Sequence, residues 1–343
     1  MQGRWCLWVI LPFIFSCVGM MAKEGCPTLI SVDKVWDQAP HSAFTDLVRF
    51  KGKWYLTFRE GADHVGVDYG QVRVLESKDG LKWKTVALFK KDQVDLRDPK
   101  FSMTPKDQLM INMAGTVYSE DWEYLSRTNL VTFSFDGNTW SHPHQIMEEH
   151  DWLWRVTWHE GKAYGVSYRA KKPLDQDGPW VTTLYQSDDG MHFEPIIRWN
   201  IPGHPSETTL RFTDNGEMVA LVRRGFFAWI GTSKPPFDEW TWYETKEYVG
   251  GPNFLIFPDG SMWASGRFID WERSTDEKYV AHTALAKMTK DHLEQKLVLP
   301  SEGDSSYPGM VYDEGFLWMS YYSSHEGRTA IYLAKILIEG GHF

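Results

Sequence analysis

Acid–base and anion-binding chemistry needs carboxylates, tyrosines, histidines and guanidiniums gathered in one place, and this 343-residue sequence carries those types at the ends of short apolar runs. They are His41 and Asp46, Arg59 through His64, Arg97 and Asp98, Trp154 and Arg155, then Tyr168 and Arg169. Glu207, Arg223 and Arg224, Asn253, Arg267, Tyr307, and Tyr322 through His325 complete the set. The chain has 36 basic and 46 acidic residues and a formal charge of -10, so a concentration of Arg within it points to an anionic ligand such as a uronate, a sialate or a sulfated sugar. Cleaving a glycosidic bond requires a proton donor to the leaving oxygen and a nucleophile or base across the sugar ring. A tyrosine hydroxyl is a poor nucleophile at its ordinary pKa and needs a base beside it, and Glu207 is a candidate for that service to Tyr307. A neutral Tyr–Glu couple also repels an anionic substrate less than a bare carboxylate does. Each residue has a plainer reading. An Arg or Asp at a strand end can be one half of an ion pair, Asp98 before Pro99 can cap a turn, and Tyr307 can be a packed aromatic. Trp152 and Trp154 could stack on a sugar face, although most Trp should be core. No His, Cys or acidic cluster has metal-ligand spacing, so neither a metal nor another cofactor is expected.

The elements that must position these residues repeat. An apolar run, a turn with Gly or Asp, and a second apolar run recur six times, beginning at Leu47, Phe101, Val156, Leu210, Phe254 and Met310. The residue two past the turn is Trp54, Leu109, Ala163, Met218, Met262 and Leu317, at spacings of 55, 54, 55, 44 and 55. Short alternating runs about such turns are hairpins, and no long stretch shows the 3.6-residue apolar period of a helix. Three of the following hairpins carry Ser-x-Asp-Gly-x-x-aromatic, at Ser77–Trp83, Ser134–Trp140 and Ser187–Phe193. Asp and Gly suit the turn, and the aromatic packs back over the hairpin, so these boxes read as structural. Two hairpins per repeat make a four-stranded antiparallel sheet. Six such sheets predict an all-β, six-bladed β-propeller. The sixth repeat runs out after the apolar run Ala330–Leu337, and Leu29–Trp36 is available as its fourth strand. The starts of the first strands and the ends of the second would then meet at one face of the channel, bringing the residues above into a ring.

The composition narrows the field further. With 42% hydrophobic and 15% aromatic residues the chain is globular, and without a long Lys/Arg run it is a poor binder of nucleic acid. Three cysteines, none in a CxxC pair, exclude a zinc ribbon or a disulfide scaffold. The apolar run from Trp5 to Phe15, behind a basic start, is too short to span a bilayer and reads as an export signal within residues 1–22. Ile14-Phe15-Ser16-Cys17 also resembles a lipoprotein box, in which the signal would end at Ser16 and an acylated Cys17 would anchor the protein. A single domain over 27–343 is expected outside the cytoplasm, periplasmic, extracellular or surface-anchored.

The Ser-x-Asp-Gly-x-x-Trp boxes on a six-fold repeat resemble the sialidase superfamily, whose blades carry such Asp boxes, over about residues 29–336. Arg97-Asp98-Pro99 resembles the segment that opens the second blade of sialidases, where the Asp faces the sugar. Ser206-Glu207-Thr208 followed by Arg223 is similar to the segment whose Glu supports the nucleophile and whose Arg grips a substrate carboxylate. Ser305-Ser306-Tyr307 is similar to the segment that holds the nucleophilic Tyr, and Arg267 could stand for a further family Arg. The family's first-blade Arg is missing, because Ala43-Phe44-Thr45 occupies its place, and Asp63 or His64 stands where the family has its acid/base Asp. The resemblance implies a glycoside hydrolase that removes a terminal acidic sugar from a glycan. In it Tyr307, Glu207, Asp63 and His64 would be catalytic, and Arg59, Arg97, Asp98, Arg155, Arg169, Arg223, Arg267 and Trp154 would bind substrate. A lyase acting on uronate polysaccharide and a non-catalytic glycan-binding propeller are the alternatives on the same fold.

Overall fold

A computed structural model describes residues 26–65, 68–172, 175, 177–275 and 278–338; the expected export signal and Cys17 lie outside them. The described residues form twenty-four strands in six four-stranded antiparallel sheets and no helix. The sheets are the blades of a six-bladed β-propeller. Their inner strands, His41–Phe50, Asp95–Met103, Trp152–His159, Thr208–Phe212, Gly250–Ile256 and Ser305–Asp313, line the channel. Within each of the first five blades the strands follow chain order from the channel outward. The sixth is closed from the other end of the chain, with Pro27–Trp36 as its outer strand, antiparallel to Ala330–Ile338. This is the closure anticipated from Leu29–Trp36.

The three Ser-x-Asp-Gly turns explain their own composition. Ser77 Oγ donates to Asp79 Oδ1 (3.0 Å) and accepts from the Gly80 amide (2.9 Å), while Asp79 Oδ1 accepts from the Leu81 and Lys82 amides, both at 2.9 Å. Those amides hold the Asp79 carboxyl at about 2. Gly80 stands at φ 76°, where a side chain is strained. The Trp83 indole closes the turn by donating to the Gly80 carbonyl (3.1 Å). The turns at Asp136 and Asp189 repeat the Ser and Asp bonds, without the indole bond of Trp83. Blade four has a counterpart that the sequence disguises: in Ser233–Trp240 the Trp240 indole donates to the Phe237 carbonyl (3.0 Å), although Pro235-Pro236 replaces the Asp-Gly.

The core lies between neighbouring blades rather than in a single centre. Phe50, Tyr55, Val72 and Val74 of blade one pack on Leu96, Leu109, Ile111 and Met113 of blade two, all at most 2% exposed. Burying each such side chain stabilises by about 1.5–3 kcal/mol. Tryptophans fill the wider gaps, as where Trp54 and Trp318 meet across blades one and six (5.0 Å between centroids). The channel is thereby a rigid ring on which six inner strands can hold side chains in fixed relation.

Candidate active site

A repeated irregularity builds the site. The inner strands of blades one, two, five and six each slip register near their start, between Ala43 and Asp46, Arg97 and Lys100, Gly250 and Asn253, and Ser306 and Gly309. Inside each of these four slips is one left-handed residue, Phe44 (φ 62°), Asp98 (52°), Gly251 (60°) and Tyr307 (54°), whereas the slip in blade three between Leu153 and Val156 has none. A β-bulge bends its strand and re-aims the extra side chain, and positive φ at a bulky residue is rare enough to need a cause. Here the bulges bring Phe44, Asp98 and Tyr307 together at one end of the channel. The Phe44 ring lies 5.0 Å from that of Tyr307. Gly251 must lack a side chain, because a Cβ would stand 2.5 Å from Tyr307 Cδ2.

Tyr307 Oη donates to Glu207 Oε1 at 2.5 Å, and Arg223 Nη1 donates to the same oxygen at 2.7 Å. The Gly251 amide donates to Oε2 at 2.7 Å. Burial alone would raise the Glu207 carboxyl, but Arg223, the Tyr307 hydroxyl and the Gly251 amide outweigh it and hold the group below its ordinary value. Burial and the Glu207 charge push the Tyr307 hydroxyl well above 10, so it rests protonated. Tyr307 is 7% and Glu207 4% exposed, and Glu207 lines a cavity of about 350 Å³ with Tyr168, Trp180, His204, Arg223 and Tyr248.

Beside them Asp98 is 5% exposed with its Oδ1 buried and unpartnered. Burial raises its carboxyl to about 6 against the pull of Lys100 and Arg97. Lys100, lowered to about 8 by burial first and Arg155 second, donates to the Thr45 carbonyl (3.0 Å) and sits 5.3 Å from the Tyr307 ring centroid.

A second cluster adjoins the first. Asp304 Oδ1 accepts from Arg267 Nη2 (2.8 Å) and Tyr322 Oη (3.0 Å), and its Oδ2 lies 2.9 Å from His41 Nε2 and 2.6 Å from His64 Nδ1. Burial opposes ionisation, yet these donors hold the carboxyl far below its ordinary value. The His64 ring meets the Phe44 edge at 4.9 Å, so Phe44 bridges the two clusters. His41, His64 and Asp304 place their ligand-type atoms within 4.8 Å of one another, a grouping that positions 41, 64 and 304 conceal in the sequence. The three already satisfy one another by hydrogen bonds, and the Arg267 guanidinium on the same carboxylate works against a further cation. Arg267 and Asp304 also line a cavity of about 510 Å³ with Phe226, Tyr248, Trp271 and Tyr279.

The remaining candidates divide. Arg97 stays at the site, donating to the Tyr118 hydroxyl and lying 5.1 Å over Trp152, whose ring Arg127 also covers at 4.3 Å. Asp63 is exposed, and its Oδ1 accepts from the His64 amide (2.7 Å). Four residues expected at the ligand face are placed elsewhere. Arg59 is fully buried, donating to Asp95 Oδ1 (2.8 Å) and the Asp63 carbonyl (2.8 Å), so it props the loop. Arg155 grips Asp46 through both terminal nitrogens (2.8 and 3.0 Å) and lines the opposite mouth. Arg169 pairs with Glu148 (3.2 Å) and Asp151 (3.8 Å). Trp154, 1% exposed, backs Tyr307 edge-on at 5.2 Å, where a sugar cannot stack. Asp304, Lys100 and Arg127 were not among the sequence candidates. Asp304 lies outside the strand, and the bulge that places the buried Lys100 beside Tyr307 leaves no mark in residue type.

No family model and no curated protein matches this sequence. Solved structures do. A protein of unknown function from Dyadobacter fermentans is similar at TM-score 0.76 and 17% identity over 91% of this chain and 99% of that one. The GH93 α-L-arabinofuranosidase of Fusarium graminearum, in complex with arabinobiose, is similar at 0.65 and 14% over 90% and 98%. Trypanosoma rangeli sialidase, in complex with the inhibitor DANA, is similar at 0.62 and 12% over 88% of this chain and 56% of that one. The chain therefore shares its six-bladed propeller fold with these structures, the fold that the sequence resemblance implied.

Proposed function

We propose that this protein is an exported glycosidase that removes a terminal acidic sugar from a glycan by double displacement. The observation that carries the reading is the 2.5 Å hydrogen bond from Tyr307 Oη to Glu207, with Arg223 on the same carboxylate oxygen. As Tyr307 Oη attacks the anomeric carbon, its proton passes to Glu207, which rests ionised and already accepts the hydroxyl's hydrogen bond. The bond to the leaving oxygen breaks as that oxygen takes a proton. His64 is the better donor of the two candidates, because Asp304 fixes its Nδ1 and leaves Nε2 for the substrate, whereas the Asp63 carboxylate caps the His64 amide. Water then enters with His64 as base, the glycosyl–tyrosine bond breaks, and Glu207 returns the proton to Tyr307.

Arg223 and Arg267 keep 27% and 20% of their side chains exposed and supply the positive end of the site. Phe44 fills the place of a third guanidinium, so the acidic group is held by two cations. Glycosidases stand among the structural neighbours, which supports the reading. The test is mass spectrometry after incubating the mature protein with sialylated, uronate-containing, sulfated and arabinofuranosyl glycans. A released sugar carrying the mass of added water supports the reading. A product lighter by that water would replace it with elimination, and saturable binding without product would replace it with a lectin-like role.

A further inference from the structure

Two cavities adjoin at the catalytic end of the channel. Glu207 and Arg223 line the smaller, Arg267 and Asp304 line the larger of about 510 Å³, and Tyr248 lines both. Glycosidic cleavage sends the leaving group toward its proton donor. Glu207 serves the nucleophile, and His64 Nδ1 lies 2.6 Å from Asp304 Oδ2, so the leaving group belongs in the larger cavity. This placement rests on the glycosidase reading.

The wall of that cavity is aromatic. Phe226 comes from the connection between the second and third strands of blade four, and Trp271 and Tyr279 from the corresponding connection of blade five. Their side chains are 71, 47 and 64% exposed. One exposed ring on a surface is ordinary, whereas three on a single cavity beside a reaction centre mark a surface kept for a ligand. Phe227 and Tyr279 both meet the Trp271 ring edge to face, at 6.4 Å and 81° and at 5.9 Å and 84°. Trp271 and Tyr279 are therefore two walls of a corner and not one flat bench. A further aromatic ring suits such a corner, lying face to one wall and edge to the other.

The polar groups agree. Among the described lining residues Arg267 and Asp304 are the only charged side chains. Asp304 is occupied by four donors, and Arg267 gives Nε to the Ser305 carbonyl (2.8 Å) and Nη2 to Asp304 and Tyr322. A sugar in the corner would bring several hydroxyls to a wall with few partners for them, which costs free energy.

We propose that the larger cavity receives a flat, apolar leaving group, an alcohol of aryl or fused-ring type. This narrows the substrate class from glycans in general to conjugates in which the acidic sugar is joined directly to such an alcohol. The leaving oxygen departs with the alcohol, carrying the proton from His64.

Isothermal titration calorimetry with 2-naphthol at several temperatures tests the cavity without turnover. Naphthol should bind with a negative heat-capacity change, the mark of apolar burial. Trp271→Ala and Tyr279→Ala, both at exposed positions, should each weaken it about tenfold, and lactose should not displace it. Equal affinity in wild type and Trp271→Ala, or displacement by lactose, overturns the inference. Kinetics on the 2-naphthyl and methyl glycosides of the released sugar then separate this inference from the reading beneath it. Trp271→Ala should raise KM for the naphthyl glycoside about tenfold with kcat kept, and leave the methyl glycoside unchanged. Equal sensitivity of the two substrates overturns the leaving-group role and keeps the glycosidase. Naphthol binding that depends on Trp271, without hydrolysis of any conjugate, overturns the glycosidase reading and the leaving-group role with it.

Discussion

Asp98 is a buried carboxyl that the fold keeps against its own stability, and Asp98→Asn measures by how much. Its group rises from an ordinary 3.8 to about 6, chiefly by burial. A shift of about 2 units is worth about 3 kcal/mol. The sign follows from which state binds the proton more tightly. Between pH 4 and 6 the folded protein holds it and the unfolded chain has released it, so stability falls as pH rises through that window and stays lowered above it. Asn keeps the shape, accepts the φ of 52° and replaces no hydrogen bond to Asp98 Oδ1, since none exists. The variant should therefore be more stable at pH 7.5 by up to about 3 kcal/mol, less the cost of burying an amide. At about 1.5 °C per kcal/mol for a chain of this size, that is a rise of about 4 °C. The gain should shrink through pH 6 to 4 and be absent below the ordinary carboxyl value. Differential scanning fluorimetry from pH 3.5 to 8, paired with turnover of whichever glycan is cleaved, reads both halves. Turnover should fall as stability rises. A difference in melting temperature that does not change with pH, or a variant less stable at pH 7.5, would refute the argument.

Further outcomes follow from the same geometry. Tyr307→Phe and Glu207→Gln should each lower kcat by ~10³ or more with the thermal transition intact, because they remove the nucleophilic oxygen or its proton acceptor; unchanged turnover would sink the assignment. Asp304→Asn removes the charge that fixes His64 and Arg267 and should cost ~10²-fold in kcat/KM, with a share in KM from the loosened Arg267, as steady-state kinetics will show. Gly309→Ala would set a Cβ 2.1 Å from the Leu47 amide nitrogen, where backbone meets backbone across blades six and one. It should destabilise by several kcal/mol in chemical denaturation. Binding of 2-naphthol with a negative heat-capacity change, weakened in Trp271→Ala, is the separate expectation for the larger cavity.

The parts of this molecule that were legible in the sequence are those governed by local physics. Asp-Gly and Lys-Gly turns demand particular backbone angles, and a spacing near 55 residues survives every change of side chain between them. The strand Leu29–Trp36 could be assigned to blade six only because a propeller must close. Residue type also pointed to Glu207 and Tyr307, whose pairing across 100 positions the structure shows as one hydrogen bond. What could not be read is whether a charged residue at a strand end meets a ligand or a neighbour. Arg59 and Arg267 look alike as letters, yet Asp95 buries the first, and the second keeps a fifth of its side chain exposed. Asp304 was invisible for the converse reason, since four donors converge on it from four segments. The disguised turn at Ser233–Trp240 escaped because the same bend is made there with different residues.

Phe44 shows why the bulges matter more than the individual side chains. It occupies the first-blade position equivalent to Asp98 and Tyr307, in the same left-handed conformation, and is 2% exposed. Its ring contacts Tyr307, Tyr322 and His64 at 5.0, 5.7 and 4.9 Å. A guanidinium there would stand among aromatic faces beside His41 and Lys100, with Asp304 already saturated by four donors. The aromatic therefore packs Tyr307 against the His64 imidazole, while 43% of the His64 side chain stays exposed. The site is consequently less cationic than one built with three Arg and open on the His64 side. On the proposed reading, that balance favours a substrate whose acidic group needs two contacts and whose leaving oxygen reaches His64 at the open edge of the site.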